Sequence, residues 1–350
     1  MRAGTGWVLL WAAGALAGCG GHTTQQPPAA SGDDAGTTGD DAGCGSCAPE
    51  AGPGPDSAAD AAPPPATGDI GPDGGTASRL LFAIVGDTRP PYPDDTSSYP
   101  LPIITKIYDQ IEAASPRPLF GVSTGDYQFS SPTGDQASAQ LDMYLGARQH
   151  YSGLVFPTMG NHECTGATDS NCGTGNPDGI TNTYTAYMTK LLAPLGKTQP
   201  WYEVDVAATD GSWTAKFLFV AANAWTQDQA TWFAQAMARA TTYTFVVRHE
   251  PRTSSTAPGV TPSELVMYDH PYTLSFVGHT HTYDHQDGLR EVLVGNGGAP
   301  PSGGKGYGYG LVSQRADGSG TLDVDMIDSH SGQPVPSFHF AVKPDGSPAQ

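Results

Sequence analysis

Five short apolar segments of this sequence each end in residues that can bind a metal ion through nitrogen or oxygen. These residues are Asp87, Asp126, Asn161 with His162, His249, and His279 with His281. In open α/β sheets, ligands bind in the crevice beyond the carboxyl ends of the strands. If the five segments are adjacent strands, the sequence predicts that their end residues meet in one crevice.

The chemistry of this residue set points to metal-assisted displacement at phosphorus. The set offers only nitrogen and oxygen ligands and no thiolate, which suits Mn, Fe, Zn or Ni ions. It is too large for one tetrahedral zinc ion. It is large enough for two ions that share a carboxylate, and a pair of ions about 3.5–4 Å apart suits the clamping of a phosphoryl group.

Apolar runs place these residues at strand ends. Buried strands are predicted over the runs 79–85, 119–122, 154–156, 243–247 and 273–277. Further strands are predicted at 201–207 and 216–222, and the chain after 289 alternates short strands with glycine turns, at 289–294, 308–314, 320–327 and 335–342.

Helices are predicted between these strands. Isoleucines recur at helical spacing over 102–114, and a second helix is predicted over 136–148. A third helix opens at Thr226, where Thr-Gln-Asp-Gln has the pattern of a capping box. The predicted fold class is therefore α/β in the first two-thirds of the folded part and β-rich at its end.

The blocks that end these strands resemble those of the calcineurin-like metallophosphoesterases. The blocks are Gly86-Asp87-x-Arg89, Gly125-Asp126, Gly160-Asn161-His162-Glu163, His249 and Gly278-His279-Thr280-His281. Their order, glycines and strand contexts match that family from about residue 80 to about residue 300. The resemblance implies a sandwich of two β-sheets flanked by helices, an α/β/β/α fold.

The resemblance also implies a role for each residue of the set. Asp87 and His281 would bind a first metal ion, and Asp126 would bridge it to a second. The ligands of the second ion would be completed by Asn161, His249 and His279. His162 would not be a ligand; it would orient the phosphate or protonate the leaving oxygen. We expect Glu163 and Glu250 to accept hydrogen bonds from metal-bound histidines.

The implied activity is that of a phosphoric ester hydrolase. A metal-activated hydroxide would attack the phosphorus of a small phosphate ester in line. The cofactors would be two divalent or trivalent ions, of Mn, Fe or Zn, and the protein would be a monomer.

The sequence departs from the family at Arg89. The family has Asp-x-His in the first block and uses that histidine as a ligand, whereas arginine stays protonated and cannot bind a metal. Purple acid phosphatases, a branch of the same superfamily, use a tyrosine three residues after the bridging aspartate, where this chain has Phe129. Our hypothesis is that the first ion binds more weakly and that Arg89 lies toward the substrate phosphate.

Two alternatives stay open at this point. The missing histidine ligand is compatible with a non-catalytic, metal-binding surface lipoprotein of the same fold. Gly121-Val-Ser123-Thr-Gly125 matches the G-x-S-x-G elbow of serine hydrolases, with Ser123 as nucleophile. That elbow needs a helix after the turn, but the sequence that follows is typical of a loop.

The N-terminal region is predicted to be a signal peptide followed by a disordered linker. Residues 1–19 have the pattern of a signal peptide, and Leu16–Cys19 resembles a bacterial lipobox, which predicts acylation of Cys19 and anchoring in a membrane. We expect a secreted lipoprotein at the outer membrane or cell surface. Residues 20–78, rich in Gly, Pro and Ala with nine acidic and no basic residues, are predicted to be a disordered linker, followed by the metallophosphoesterase domain at 79–345.

Charge and cysteines add two further expectations. The net charge of −19 argues against nucleic acid as a partner, because such binding depends on clustered Lys and Arg. Cys164 and Cys172 flank a polar loop and are predicted to form a disulfide, consistent with an oxidising compartment.

Overall fold

A computed structural model describes residues 64–131, 136–164, 182–254, 256–286 and 288–349 of the chain. The strands of this part are, in chain order, β1 (Gly68–Gly71), β2 (Gly74–Ala77), β3 (Leu81–Val85), β4 (Phe120–Ser123), β5 (Leu154–Pro157), β6 (Tyr202–Ala208), β7 (Thr214–Val220), β8 (Tyr243–Arg248), β9 (Leu274–Val277), β10 (Tyr283–His285), β11 (Glu291–Val294), β12 (Gly308–Gln314), β13 (Leu322–Asp328) and β14 (Gln333–Val342). Its α-helices are α1 (Leu101–Ala113), α2 (Ala137–Arg148), α3 (Asn182–Tyr187), α4 (Gln227–Ala238) and α5 (Val260–Asp269).

The strands form two mixed sheets. The eight-stranded sheet has the order β1-β2-β6-β7-β8-β9-β11-β10, and the six-stranded sheet has the order β14-β13-β12-β3-β4-β5. Strands β7, β8, β9 and β11 are parallel, as are β3, β4 and β5. Two sheets flanked by helices are the fold that the family resemblance implied, so that prediction is confirmed.

Aromatic side chains join the two sheets. Phe82 of β3 and Phe120 of β4 meet Phe217 of β7 edge to face, with ring centroids 5.1 and 5.3 Å apart. Such arrangements are favoured by the quadrupoles of the rings. All three residues are buried, so the main core lies between the sheets.

Helices supply the outer layers. Phe233 and Met237 of α4 and Met267 of α5 form a cluster with Leu218 of β7 and Val246 of β8. Helix α1 buries its isoleucine stripe as predicted, and the Tyr108 hydroxyl of α1 lies 2.9 Å from that of Tyr144 in α2. These layers hold the parallel strands of both sheets in place from outside.

The linker predicted to end at residue 78 instead contains two strands near its end. β1 and β2 pair with each other, and β2 runs parallel to β6, with Gly74 opposite Asp205. The prediction is wrong here because these glycine-rich strands carry no apolar pattern; they are held by backbone pairing to an existing sheet edge. Arg79 adds to the attachment, because its guanidinium donates to the carbonyls of Pro64 (2.8 Å) and Gln314 (3.1 Å).

The capping box predicted at the start of α4 is only half present. The Thr226 hydroxyl accepts from the Gln229 backbone N–H at 3.1 Å, as expected. The Gln229 side chain does not return to Thr226; it accepts from the backbone N–H of Ala221 and donates to the Ala221 carbonyl. Helices α3 and α5 were not predicted, because neither carries a clear apolar stripe.

Several predictions concern residues outside the described ranges. The signal peptide with Cys19, most of the linker, and Cys172 of the expected disulfide lie there, so these stay predictions. Among the helices that the structure describes, none is long and apolar enough to span a membrane.

Candidate functional site

The predicted ligand residues lie at the carboxyl ends of parallel strands from both sheets. Asp87, Asp126 and Asn161 follow β3, β4 and β5 of the six-stranded sheet. His249 follows β8, and the His279–His281 segment follows β9, both in the eight-stranded sheet. The five strands are therefore not neighbours in one sheet, and the crevice forms where the ends of the two sheets meet.

Strained backbone marks these positions. Five non-glycine residues of the described chain have positive φ, and four of them belong to the predicted set: Asp87 (54°), Asp126 (59°), His279 (74°) and His281 (51°). Left-handed backbone at such residues costs about 1–3 kcal/mol each and persists only where the surroundings enforce it. The rest of the fold thus holds these residues in an unfavourable backbone conformation that directs their side chains into the crevice.

The glycines of the sequence blocks allow close approach of the carboxylates. A Cβ atom on Gly160 would lie 2.2 Å from Asp126 Oδ1, and one on Gly278 would lie 2.4 Å from Asp87 Oδ2. Any side chain at either position would push the aspartate aside. Both glycines are therefore required by the packing of the crevice itself.

Four atoms that could bind a metal ion converge in a group that we call site 2, formed by Asp126, Asn161, His249 and His279. Asn161 Oδ1 lies 3.0 Å from His249 Nε2 and 3.1 Å from His279 Nδ1. His249 Nε2 lies 3.3 Å from both Asp126 Oδ1 and His279 Nδ1. Ligands bonded to one tetrahedral ion at about 2.0–2.1 Å stand roughly 3.3 Å apart, so site 2 fits a single metal ion.

The second ring nitrogen of His249 fixes how the ring faces site 2. Nδ1 lies 2.7 Å from the carbonyl oxygen of Thr124, which can only accept, so Nδ1 carries a proton. Nε2 is then directed at site 2, as in metal-bound histidines whose other nitrogen is held by a backbone carbonyl. Burial opposes a charge on His249, but the Asp126 carboxylate outweighs it and raises the histidine pKa to about 10. In the metal-free chain a second proton on His249 provides positive charge beside Asp126. A bound metal ion would provide that charge instead.

A second group, which we call site 1, consists of Asp87, Asp126 and His281. Each offers one ligand atom, and these atoms all lie within 4.8 Å of one another. Asp87 Oδ2 accepts from the backbone N–H of His279 at 2.9 Å, whereas its Oδ1 is buried without a hydrogen-bond partner. A buried carboxylate oxygen is costly unless a donor or a cation compensates it. The residues of site 1 therefore also fit a metal ion.

Arg89 lies directly against site 1. Its Nη2 is 3.1 Å from His281 Nε2, and its Nε is 3.6 Å from Asp126 Oδ2. The guanidinium carbon stands 4.6 Å from the ring centroid of Phe129, a cation–π distance. The side chain that replaces the family's histidine ligand thus touches another predicted ligand of the same ion.

His162 lies beside both sites without joining the converging atoms. Its Nε2 is 3.7 Å from Asp126 Oδ2, and its ring meets Phe129 edge-on at 4.3 Å. Burial lowers the pKa of His162 to about 3, so the ring is neutral at neutral pH. Its placement is compatible with the predicted role toward phosphate, which stays a prediction.

Electrostatics favour a charged Asp126. Complete burial opposes that charge, but His249, through its positive charge and a hydrogen bond, outweighs it together with Arg89 and holds the Asp126 pKa well below the usual carboxyl range. Burial, reinforced by Arg89, lowers the pKa of His281 to about 4, so its ring is neutral at neutral pH. A neutral ring has one nitrogen free to accept or to bind a metal.

The two glutamates do not act as the sequence suggested. Glu163 is buried and accepts from three backbone N–H groups, those of Asp126 (3.1 Å), Tyr127 (3.0 Å) and Gly160 (2.8 Å). Glu250 accepts from Asn223 Nδ2 at 2.6 Å and from the loop that follows it. The expected bonds from histidines are therefore wrong, because the histidines use the carbonyls of Thr124 and Pro300 instead.

Phe129 and these carbonyls are the site components that sequence reasoning did not identify as partners. Backbone carbonyls carry no sequence signal. The sequence shows Phe129 only as a missing tyrosine, although its place three residues after Asp126 is itself the signal for a residue beside sites 1 and 2. Tyr127, by contrast, is buried and donates to the Thr158 carbonyl at 3.1 Å.

The serine-hydrolase geometry is not formed at Ser123. This residue ends β4 and is fully buried. The next helix of the described chain begins at Ala137, so the strand, turn and helix of a nucleophile elbow do not follow one another here.

Comparisons with known proteins agree with this fold. Residues 68–283 match the calcineurin-like phosphoesterase family. The structure is similar to a purple acid phosphatase from yellow lupin seeds, with a TM-score of 0.55, 16% identity and coverage of 76% of this chain and 54% of that one. This chain thus spans about half the length of the lupin enzyme, and at this identity the similarity concerns the fold. A dimetal phosphatase from Danio rerio has a TM-score of 0.48 at 12% identity, covering 75% of this chain and 98% of that one.

The sequence matches none of the curated proteins. The family match extends over more than half of the chain and contains all five blocks quoted above. The enzyme class predicted from the sequence, phosphoric ester hydrolase, is that of the matched family. This chain belongs to the calcineurin-like phosphoesterases.

Proposed function

We propose that this protein hydrolyses small phosphate esters at a centre of two metal ions, one at site 1 and one at site 2. The observation that carries the proposal is the position of Asp126, whose carboxylate belongs to both groups. A shared carboxylate keeps two ions within the separation of about 3.5–4 Å used in two-metal phosphoryl chemistry.

Metal ions at these sites would act as Lewis acids on the phosphoryl group and on a water molecule. The residues of the chain do the rest. Asp87, Asp126, Asn161, His249, His279 and His281 hold and space the ions. His162, neutral and beside Asp126, is placed to donate its ring N–H to a phosphate oxygen, and it could pass a proton to the leaving group only after taking one up.

Divalent Mn, Fe or Zn ions suit these ligands best. The donors are carboxylate, amide oxygen and imidazole, the mixture that these ions accept. A tyrosinate ligand is not supported, because Phe129 stands at the tyrosine position and the Tyr127 hydroxyl is bonded to Thr158. The acidic chain supports a small ester rather than a long polyanion, which its net charge of −19 would repel.

The proposed localisation follows from the N-terminal sequence alone. We propose that acylated Cys19 anchors the protein in a membrane, at the outer membrane or cell surface. Replacing Cys19 with serine would then move the protein from the membrane fraction to the soluble fraction. Retention of the Cys19→Ser protein in the membrane fraction would contradict the anchor.

Metal reconstitution tests the proposed function. The full chain is stripped with a chelator, titrated with Mn, Zn or Fe, and assayed on aryl phosphate monoesters and diesters. We expect hydrolysis to disappear with the chelator and return with metal, and the ratio of monoester to diester rates gives the substrate class.

Two variants separate the alternatives. Asp126→Asn should abolish the metal-dependent rate, whereas Ser123→Ala should leave it intact if no serine nucleophile is used. Metal binding without turnover on any ester would favour the non-catalytic lipoprotein. Turnover that survives the chelator but is blocked by serine-directed phosphonates would favour the serine hydrolase.

A further inference from the structure

The hydrogen bond between Arg89 and His281 engages the nitrogen that site 1 needs. A guanidinium has donors only, so His281 Nε2, 3.1 Å from Arg89 Nη2, must accept. The other ring nitrogen, Nδ1, then carries the proton and donates to the Pro300 carbonyl at 3.2 Å. The lone pair of Nε2 therefore points at Arg89, and the same lone pair would have to bind the metal ion.

The guanidinium is held in this position from several sides. Phe129 lies under it, the Pro90 carbonyl accepts from Nη1 at 3.0 Å, and Asp126 Oδ2 is 3.6 Å from Nε. Its side chain is only 13% exposed. A fixed positive charge at this point repels a metal ion in site 1, and site 1 already lacks the family's histidine.

The same side chain keeps capacity for an anion. Arg89 Nε is buried and makes no hydrogen bond, so the guanidinium has donors to spare. Its planar fork binds phosphate oxygens through paired, charge-assisted hydrogen bonds, which are stronger than a bond to a neutral imidazole. A phosphate group beside site 1 is therefore a better partner for Arg89 than His281.

We propose that Arg89 closes site 1 until phosphate arrives: the guanidinium and a metal ion compete for His281, and phosphate ends the competition by pairing with Arg89. The inference rests on the proposed two-metal function. It makes the affinity of site 1 for metal depend on substrate, while site 2 binds its ion in either case. By linkage, the factor by which phosphate tightens metal binding equals the factor by which metal tightens phosphate binding.

Metal-binding stoichiometry tests this inference without relying on turnover. The stripped full chain is titrated with Mn²⁺, and free Mn²⁺ is counted by electron paramagnetic resonance. Each titration is run with inorganic phosphate and with sodium chloride at equal ionic strength, and is corrected for complexes of Mn²⁺ with phosphate. The proteins compared are the wild type, Arg89→Met, and Arg252→Met, a control that removes the charge of an exposed arginine on another loop.

We expect the wild type to bind one equivalent tightly and the second weakly in chloride, and to bind the second more tightly in phosphate. Arg89→Met should bind the second equivalent about tenfold more tightly than the wild type in chloride, the order expected when a hydrogen bond to a charged group no longer competes. Its gain from phosphate should shrink, because phosphate then acts only as a ligand of the ions. Arg252→Met should match the wild type.

Two results would overturn the inference. One is an unchanged second equivalent in Arg89→Met in chloride, and the other is an equal phosphate effect in both proteins. Thermal unfolding confirms that each variant is folded, and Arg89→Gln replaces Arg89→Met if the latter is not. The proposed function fails separately, if the wild type binds no metal and hydrolyses no ester in a chelator-sensitive way.

Discussion

The two proposed metal sites share the Asp126 carboxylate but differ in the group that lies beside their histidines. At site 2, Asn161 brings an oxygen within 3.1 Å of two histidine nitrogens. At site 1, the corresponding place beside His281 holds the cation of Arg89. In our proposal, site 2 is therefore ready to bind a metal ion, whereas site 1 must first release Arg89.

This difference arises from local chain geometry. Asn161 opens a short 3₁₀ turn after β5, and that turn is fixed because Glu163 binds the backbone of the neighbouring loop. Arg89 lies two residues after Asp87 on a loop, where a long side chain can reach across site 1 and rest on Phe129. The comparison teaches that block order alone does not determine whether both sites of such a centre are equally available.

Asp126→Asn should have the largest effect because it impairs both sites at once. Asparagine keeps the shape of the side chain but not its charge, and the carboxylate is common to both sites. We expect metal affinity to fall at both sites by more than about 100-fold, beyond what loss of a partner that only supports a ligand costs. Metal analysis of the dialysed variant would measure this, and full retention of two equivalents would contradict a shared carboxylate.

His249→Gln and His281→Gln should each impair one of the two sites and leave the other intact. Each change removes one imidazole, the first from site 2 and the second from site 1. We expect His249→Gln to lose the tightly bound equivalent, and His281→Gln to keep it and lose only the weak one. Mn²⁺ titration of both variants measures the difference, and identical losses would show that the two sites do not bind independently.

His162→Ala should affect turnover without affecting either site. The imidazole lies 3.7 Å from the shared aspartate and outside both ligand groups. If it binds phosphate or transfers a proton, its loss should lower kcat by about 100-fold or more. Metal content measured on the same sample should be unchanged, and loss of an equivalent would make His162 a ligand instead.

The sequence predicted much of the centre because the family blocks concentrate ligands at strand ends. Asp87, Asp126 and Asn161 follow strands β3, β4 and β5, which buried apolar runs had predicted. His249 follows a strand predicted in the same way. What the pattern could not show is that these strands belong to two sheets, since apolar periodicity gives the type of an element but not its neighbours.

The parts that were missed depend on backbone groups and tertiary contacts. The hairpin β1–β2 has almost no apolar side chains and forms by pairing along β6, so composition alone suggested a linker. The hydrogen bonds of Glu163 go to backbone N–H groups, which leave no trace in sequence. The position of Arg89 against His281 likewise depends on two loops meeting.

Glu163→Gln should have the smallest effect on the chemistry. It should act through the loops that carry Asp126 and Asn161, which Glu163 joins. Glu163 accepts from the backbone N–H groups of Asp126, Tyr127 and Gly160, and its side chain is buried. Glutamine has one acceptor oxygen, so its amide nitrogen would face a backbone donor and leave that donor without a partner. We expect a loss of about 1–3 kcal/mol in the free energy of unfolding of the metal-free protein.

The same substitution should weaken metal binding at both sites by a similar factor. The loops that carry Asp126 and Asn161 would be joined less firmly, and supporting contacts of this kind are worth about 10–100-fold in metal affinity. Urea unfolding and Mn²⁺ titration measure the two effects, and Glu203→Gln, at a half-buried glutamate of β6 that pairs with Arg239, is the control. If Glu163→Gln weakened only one site, the glutamate would position that site alone. The two sites would then also differ in the contacts that hold their ligands in place.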